Sequence, residues 1–261
     1  MLSDLAKACE AADGVMPFNE ATLLAIASGD VARIGDVTDD YALIAYGDAP
    51  VELAVHPDRR RHGWGRRLVE GLIAHGETRF WAHGDLPAAQ ALAAATGLHA
   101  ARTLLVLRRP ADPVDVPSLD GFTIRPSTPD DIDAVIAVNA RAFASHPEQG
   151  AMDRADFDRR AASDWFDPAG LFVAERGGQI VGFHWTKIED GVGEVYVVGV
   201  DPGQQGTGLG TALTARGVQH LVSAGVSAID LYVEGDNAPA LAVYLRLGFT
   251  EHARDVLYTR S

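Results

Sequence analysis

The chain has 261 residues, 47% of them hydrophobic and 22% charged, with a formal net charge of −14. That length and apolar content suffice for two packed α/β cores, and the acidity argues against a nucleic-acid-binding surface. No apolar run reaches the length of a membrane span, the N-terminus lacks the apolar core of a signal peptide, and the lone Cys9 excludes a disulfide scaffold or a cysteine-based zinc site. The expectation is a cytoplasmic protein that binds no metal, nucleic acid or membrane.

The first half opens on helices predicted at 2–11 and 20–27, with no evident strand ahead of them. Alternation and β-branched content then predict strands at 32–37, 41–46 and 51–55. The last of these runs through His56-Pro57 into a turn, Arg60-x-x-Gly63-x-Gly65, and a helix over 65–74. A strand at 79–82, a helix at 88–95 and a strand at 102–108 complete this half. Residues 110–121 are polar and proline-rich. They read as a linker at 110–120 between an N-terminal domain at 1–109 and a C-terminal domain at 121–261.

The second half begins with a strand at 122–125 and a helix at 130–143, with Thr128 and Pro129 at its start. A helix at 154–164 follows, then a hairpin of strands 171–175 and 180–187 around Gly177-Gly178. A strand at 194–200 stops at Asp201-Pro202 and passes through Gln205-x-x-Gly208-x-Gly210 into a helix over 208–223. A strand at 228–233, a short helix at 238–247 ending at Gly248, and a strand at 256–259 close the sheet.

The turn before the 208–223 helix carries the clearest chemistry. Glycines let backbone approach a ligand closely, and the first N–H groups of a helix lack intrahelical partners. Together they form a pocket for phosphate oxygens at the positive end of the helix dipole. The spacing matches neither Gly-x-x-x-x-Gly-Lys-Ser/Thr nor Gly-x-Gly-x-x-Gly. The pattern also occurs twice. Val55-x-Pro57 and Arg60-x-x-Gly63-x-Gly65 recur as Val200-x-Pro202 and Gln205-x-x-Gly208-x-Gly210, at a constant offset of 145 residues. A chance turn would not repeat its flanking strand and helix, so this is an internal duplication of domain size.

Gln/Arg-x-x-Gly-x-Gly after a strand ending in Asp-Pro resembles the acyl-CoA pyrophosphate loop of the GCN5-related N-acetyltransferases. The resemblance implies an α/β protein of two tandem acyl-CoA N-acyltransferase domains, each a mixed central sheet flanked by helices, the first one trimmed. It implies acetyl-CoA as co-substrate. In the first copy Leu53, Ala54, Val55, Arg60, Arg61, Gly63, Trp64 and Gly65 would hold it. In the second, Val198, Gly199 and Val200 would lie at the acetyl and pantetheine end. Gln205, Gly206, Thr207, Gly208, Leu209, Gly210 and Thr211 would take the pyrophosphate, with Asn237 and Ala240 beside the pantetheine. The loop departs from the family in having Gln205-Gly206-Thr207 where a basic run is common, which removes positive charge.

Transfer of an acyl group from a thioester to an amine needs a base for the amine proton and an acid for the leaving thiolate. Glu194 begins the strand that ends at the second loop, and simple alternation puts Tyr196, Val198 and Val200 on its face. Apolar neighbours would raise its proton affinity; the bland alternative is an exposed strand-end carboxylate. Tyr244, four residues before Gly248-Phe249, is a candidate acid, or else a packed aromatic. The first copy has Ala49 opposite Glu194 and only Ala and Leu around 91–95, opposite Tyr244. Glu52 has the wrong strand parity to substitute. Catalysis is therefore expected in the second copy only.

Longer strings narrow the resemblance. Phe80-Trp-Ala-His-Gly84, Ala142-Phe-Ala-x-His-Pro-Glu-Gln-Gly150, Gly182-Phe-His-Trp-Thr-Lys-Ile188 and Leu231-Tyr-Val-Glu-x-Asp-Asn237 resemble the mycothiol synthase family of actinobacteria over nearly the whole chain. That family acetylates the cysteinyl amine of a cysteine–glucosamine–inositol conjugate. The resemblance implies Glu194 as base and Tyr244 as acid, with Glu20, Glu148, Lys187, Glu194 and Tyr232 contacting a small thiol-sugar substrate. The fused copies predict a monomer. Two alternatives stand beside it: a tandem acetyltransferase for another small amine or a peptide N-terminus, and an acyl-CoA-binding sensor without turnover.

Overall fold

A computed structural model describes residues 2–28, 32, 34–144 and 149–260. The chain divides into two compact units, and neither is a continuous stretch. The first takes Met1–Leu105 together with Glu234–Asp236 and Ala253–Ser261; the second takes Val106–Val233 and Asn237–His252.

The first unit begins with helices α1 (Leu2–Asp13) and α2 (Glu20–Ser28), followed by strands β1 (Ile34–Val37), β2 (Tyr41–Ala45) and β3 (Val51–Val55). Helix α3 (Trp64–Ala74), strand β4 (Arg79–Ala82), helix α4 (Pro87–Thr96) and strand β5 (His99–Pro110) follow, the residues of β5 from Val106 on belonging to the second unit. β1, β2 and β3 pair antiparallel, and β3 pairs with β4 in parallel. One sheet face packs on α1 through Leu5, Ala6, Cys9, Ala42, Ile44 and Ala54. The other packs on α3 and α4 through Val51, Val69, Phe80, Ala93 and Leu98.

The second unit runs β6 (Thr123–Pro126), α5 (Ile132–Ala142), α6 (Arg154–Ala161), β7 (Leu171–Arg176), β8 (Gln179–Glu189), β9 (Val192–Val200), α7 (Leu209–Ser223), β10 (Ala228–Glu234), α8 (Ala238–Arg246) and the start of β11 (Thr250–Thr259), whose residues from Ala253 belong to the first unit. β6 to β9 form an antiparallel meander, and β10 joins β9 in parallel. These are the elements and order expected from the sequence. The expected helix at 130–143 starts with a 3-10 turn at Pro129–Asp131 closed by a Thr128/Asp131 capping box, which satisfies two orphan N–H groups at once. No helix among the described residues is long and apolar enough to cross a membrane.

β11 is longer than the four residues expected, and its second half pairs antiparallel with β4, from Val256↔Ala82 to Thr259↔Arg79. The last strand of the chain thus completes the first unit. A bare β4 edge would present unpaired N–H and C=O groups to any passing strand; β11 covers it.

In the second unit α7 lies so close to β8 that only glycine fits between them. His184 is fully buried there, and its Nδ1 stands 2.8 Å from the Leu213 carbonyl oxygen, to which it donates. Burial holds its pKa down to about 4, so the imidazole is neutral. A Cβ on Gly217 would stand 2.0 Å from His184 Cε1. Gly217→Ala is expected to lower stability by about 2 kcal/mol, as overpacking of a filled core does. The urea midpoint should fall with the slope unchanged; an unmoved midpoint would show that α7 can shift outward freely.

Candidate active site

The two glycine turns have the same backbone. Each begins with a residue of matching conformation, His56 (φ −52°, ψ 135°) and Asp201 (φ −51°, ψ 132°), whose side chain accepts a hydrogen bond from the N–H two residues on. A single 3-10 turn follows, Pro57–Arg59 or Pro202–Gln204. Arg61 and Gly206 then take positive φ, 66° and 78°, and Gly63 and Gly208 enter the helix at φ 81° and 87°. Glycine reaches these conformations without cost; Arg61 holds a left-handed position that its counterpart fills with glycine. The torsions make the duplication a structural fact.

Beyond each turn the sheet opens. β9 pairs with β10 only at Gly193↔Ile229 and Glu194↔Asp230, although β9 continues to Val200 and β10 to Glu234. On its other side β9 remains paired to β8 through Val198, Gly199 and Val200. The β10-facing edge of Val198–Val200 therefore offers backbone groups outside any ladder, leading to the turn Gln205–Thr211. The first unit repeats this: β3 pairs with β4 only at Val51↔Phe80 and Glu52↔Trp81, leaving Leu53, Ala54 and Val55 beyond the last pair. A polar edge beside an anion-binding turn fits a ligand with an amide-bearing arm and a pyrophosphate.

Glu194 is half-buried at the mouth of this opening, with Lys187 and Asp230 as its register partners on β8 and β10. Alternation does not carry past it. Thr186 pairs with Val195 and Trp185 with Val197, so Tyr196 is an extra residue, a β-bulge. Tyr196 consequently packs with Trp185, Trp165 and Phe157 on the α5 and α6 side. Val198 and Val200 pack with Leu209 and Leu213 of α7 on the opposite side. The expectation that all four share one face is wrong, and the bulge is the reason. It also overturns the parity argument about Glu52. β3 has no bulge, and Glu52 shares with Ala54 the α1 face, the counterpart of the face Glu194 uses.

The remaining candidates distribute as follows. Tyr244 on α8 packs edge-on against Phe249 at 6.0 Å, and burial pushes its pKa up to about 12. Asn237 caps α8, its Oδ1 accepting from the Ala240 N–H at 3.2 Å, so both belong to the helix start. Lys187 is buried, with Nζ 3.0 Å from Glu189 and 5.3 Å from the Trp165 ring centroid. Tyr232 is exposed on β10, two residues beyond Asp230. Glu148 lies outside the described residues; Glu20 opens α2, and its side chain lies outside them too. The cation that the second loop lacks stands on α8: Arg246 Nη2 is 3.4 Å from Thr211 Oγ1. Its position, two residues after Tyr244, was the available sequence signal.

The first unit holds a pocket of about 350 Å³, lined by Leu53, Ala54, Val55, Arg60, Arg61, Gly63, Trp64 and Gly65, and by His83 and Tyr258. Most of its basic run is committed within the protein. Arg60 binds Asp13 at 2.6 and 2.7 Å and the Val55 carbonyl at 3.0 Å; Arg59 pairs with Asp40 and Arg66 with Glu70. Arg61 is exposed and has no carboxylate partner among the described residues. Behind the pocket, His83 Nε2 meets Glu52 at 2.5 Å and Nδ1 meets Asp255 at 3.0 Å. His83 and Asp255 are 172 positions apart, so periodicity gave no sign of this cluster.

Residues 138–249 match the Acetyltransferase (GNAT) family. The chain is 49% identical to the mycothiol acetyltransferase of Thermomonospora curvata, covering 97% of this chain and 91% of the relative. It is 47% identical to that of Streptomyces griseus, covering 99% and 89%. Among solved structures, a GCN5-related N-acetyltransferase from Sphaerobacter thermophilus matches with a TM-score of 0.70 at 23% identity, over 98% of this chain and 90% of that one. A tandem GNAT protein from the clavulanic acid biosynthesis pathway matches with a TM-score of 0.60 at 23% identity, over 84% and 77%. At these identities the structural likenesses establish the fold.

The His83 cluster makes the stability of the first unit depend on pH. Burial disfavours the imidazolium, but hydrogen bonds and charge from Asp255 and Glu52 outweigh it, raising the pKa from 6.5 to about 9. A raised folded-state pKa stabilises fully below the unfolded value and loses that contribution as pH rises through the folded one. The thermal midpoint is expected to fall between pH 6.5 and 9, and His83→Gln should flatten that dependence. A wild-type midpoint that is level across this window would show that His83 gains no proton affinity from the cluster.

Proposed function

The chain belongs to the mycothiol acetyltransferase family, and from that premise we propose that its second unit acetylates the cysteinyl amine of the cysteine–glucosamine–inositol conjugate, completing mycothiol. It is an acetyl-CoA-dependent N-acetyltransferase of mycothiol biosynthesis with a small-molecule substrate. When bound, acetyl-CoA supplies the activated acetyl thioester. The observation that carries the assignment of roles is the opening of β9 from β10, which begins at Glu194 and ends at the turn Gln205–Thr211.

In this reading the backbone of Val198–Val200 orients the pantetheine arm, while the loop N–H groups, the start of α7 and Arg246 hold the pyrophosphate. Glu194 accepts the proton of the incoming ammonium, so that nitrogen attacks as a neutral amine. Tyr244, a phenol that is protonated at neutral pH and whose pKa burial raises further, gives a proton to the departing sulfur. Lys187 and Tyr232 of the second unit contribute to the acceptor site, where charged and phenolic groups suit a polyhydroxylated substrate. The first unit, with Glu52 bound to His83, contributes no acid–base group and serves as an acyl-CoA-binding domain.

Incubation with acetyl-CoA and the conjugate should release free thiol and give a product one acetyl heavier, modified on nitrogen. Absence of product from protein that still binds acetyl-CoA would direct the assignment to another amine. Glu194→Gln should lower kcat at neutral pH by about 10²–10⁴-fold with acetyl-CoA affinity unchanged; an unchanged rate removes Glu194 as the base. Tyr244→Phe should slow release of the thiol, and normal single-turnover and steady-state rates would exclude it as the acid.

A further inference from the structure

Glu194 stands second in a row of four charged residues on adjacent strands of the second unit. Lys187 of β8 and Asp230 of β10 are its register partners on either side. Asp230 is in turn gripped by Arg108 of β5, with Nε to Oδ1 and Nη2 to Oδ2 both at 2.6 Å. Register partners point to the same side of a sheet, and β10 alternates with Asp230 and Tyr232 on the open side and Ile229, Leu231 and Val233 buried. The row therefore reads cation, Glu194, anion, cation.

Further charged groups stand on the neighbouring elements. Glu189 pairs with Lys187, and Arg160 of α6 lies over the Tyr196 ring at 5.8 Å. The buried residues of α5 are Ile132, Val135, Val138 and Asn139, none of them charged. Tyr232 follows Asp230 on β10 and adds a weak electrostatic effect at Arg108.

Neighbouring strands lie about 4.8 Å apart, which puts Asp230 one strand from Glu194 and Arg108 two. A carboxylate at the nearer distance disfavours ionisation of Glu194, and the more distant guanidinium offsets part of that effect. Lys187 acts in the opposite sense from the other side. The Asp230 carboxylate counters Lys187, which is itself paired with Glu189, and the bidentate grip of Arg108 fixes that carboxylate in place. We propose that Asp230 and Arg108 are positioning residues that set the basicity of Glu194. The inference rests on the reading of Glu194 as the general base.

The two residues act with opposite sign, which a merely structural ion pair would not do. The experiment measures the pH profile of kcat with saturating acetyl-CoA and conjugate. Glu194→Gln should abolish the acid limb. Asp230→Asn leaves Arg108 uncompensated and should move that limb to lower pH by about one unit, while Arg108→Met should move it up by a similar amount. Arg108→Lys keeps the charge and should move it less than Arg108→Met, which preserves the test if Asp230→Asn fails to fold. Shifts in the same direction, or no shift in folded variants while Glu194→Gln still removes the limb, overturn this proposal alone. A limb that survives Glu194→Gln overturns the base reading and this proposal with it.

Discussion

Pairing between β9 and β10 stops at Glu194 and Asp230, and the chemistry proposed for the second unit depends on that stop. A parallel pair that continued to Val200 would satisfy its own backbone groups and leave nothing to receive an extended ligand. Because β8 still pairs with β9 through Gly182↔Val200, the open strand is held in place on one side while its other edge is available. The close fit of the layers supports this. Gly199 carries no side chain because a Cβ there would stand 2.4 Å from Phe183 Cε1, and Gly182 is pressed by Leu213. A rigid strand with one free edge is pre-organised, and its ordering costs are met during folding and not at binding.

The duplicated turns separate what backbone does from what side chains do. Similar torsions at His56/Asp201, Arg61/Gly206 and Gly63/Gly208 preserve the backbone geometry of the turn although the side chains at the first two pairs differ. In an acidic protein this matters, since phosphate binding must come from local N–H groups and a few cations. The first turn has basic residues but spends Arg59, Arg60 and Arg66 on carboxylates. The second has none and gains Arg246 from α8. Counting arginines in the loops would therefore misjudge which of them offers charge to a ligand.

Local pattern made the elements and their order legible, down to β3 and β4, whose bounds match the expectation. It also located both turns, Glu194 and Tyr244. What it missed was non-local. The bulge at Tyr196 depends on how β8 and β9 settle against the α5 and α6 core, and a bulge reverses every parity beyond it. The sequence Glu-Val-Tyr-Val-Val-Gly-Val alternates too weakly to mark where the extra residue falls. Likewise nothing in residues 250–259 says that Val256–Thr259 will pair with β4, or that Asp255 will meet His83. Such partners are chosen by topology, and Arg108–Asp230 belongs to the same class.

The bulge also puts the two carboxylates at corresponding places in their sheets. Glu52 and Glu194 each occupy the last paired position before their sheet opens, on corresponding faces, yet they lie three positions apart in the aligned copies. Glu52 is 1% exposed, with the His83 imidazolium at Oε1 and the Asn19 N–H on the same oxygen. A carboxylate so enclosed and so paired has no access to a substrate proton. Glu194 keeps partial exposure, and its neighbours across the strands are one cation and one anion. Under the role proposed for Glu194, position in the fold is not enough for a base, and accessibility and charge balance separate the two groups. The first unit meets the first condition and fails the second, and its carboxylate serves instead to hold His83 and, through Asp255, the strand that closes its sheet.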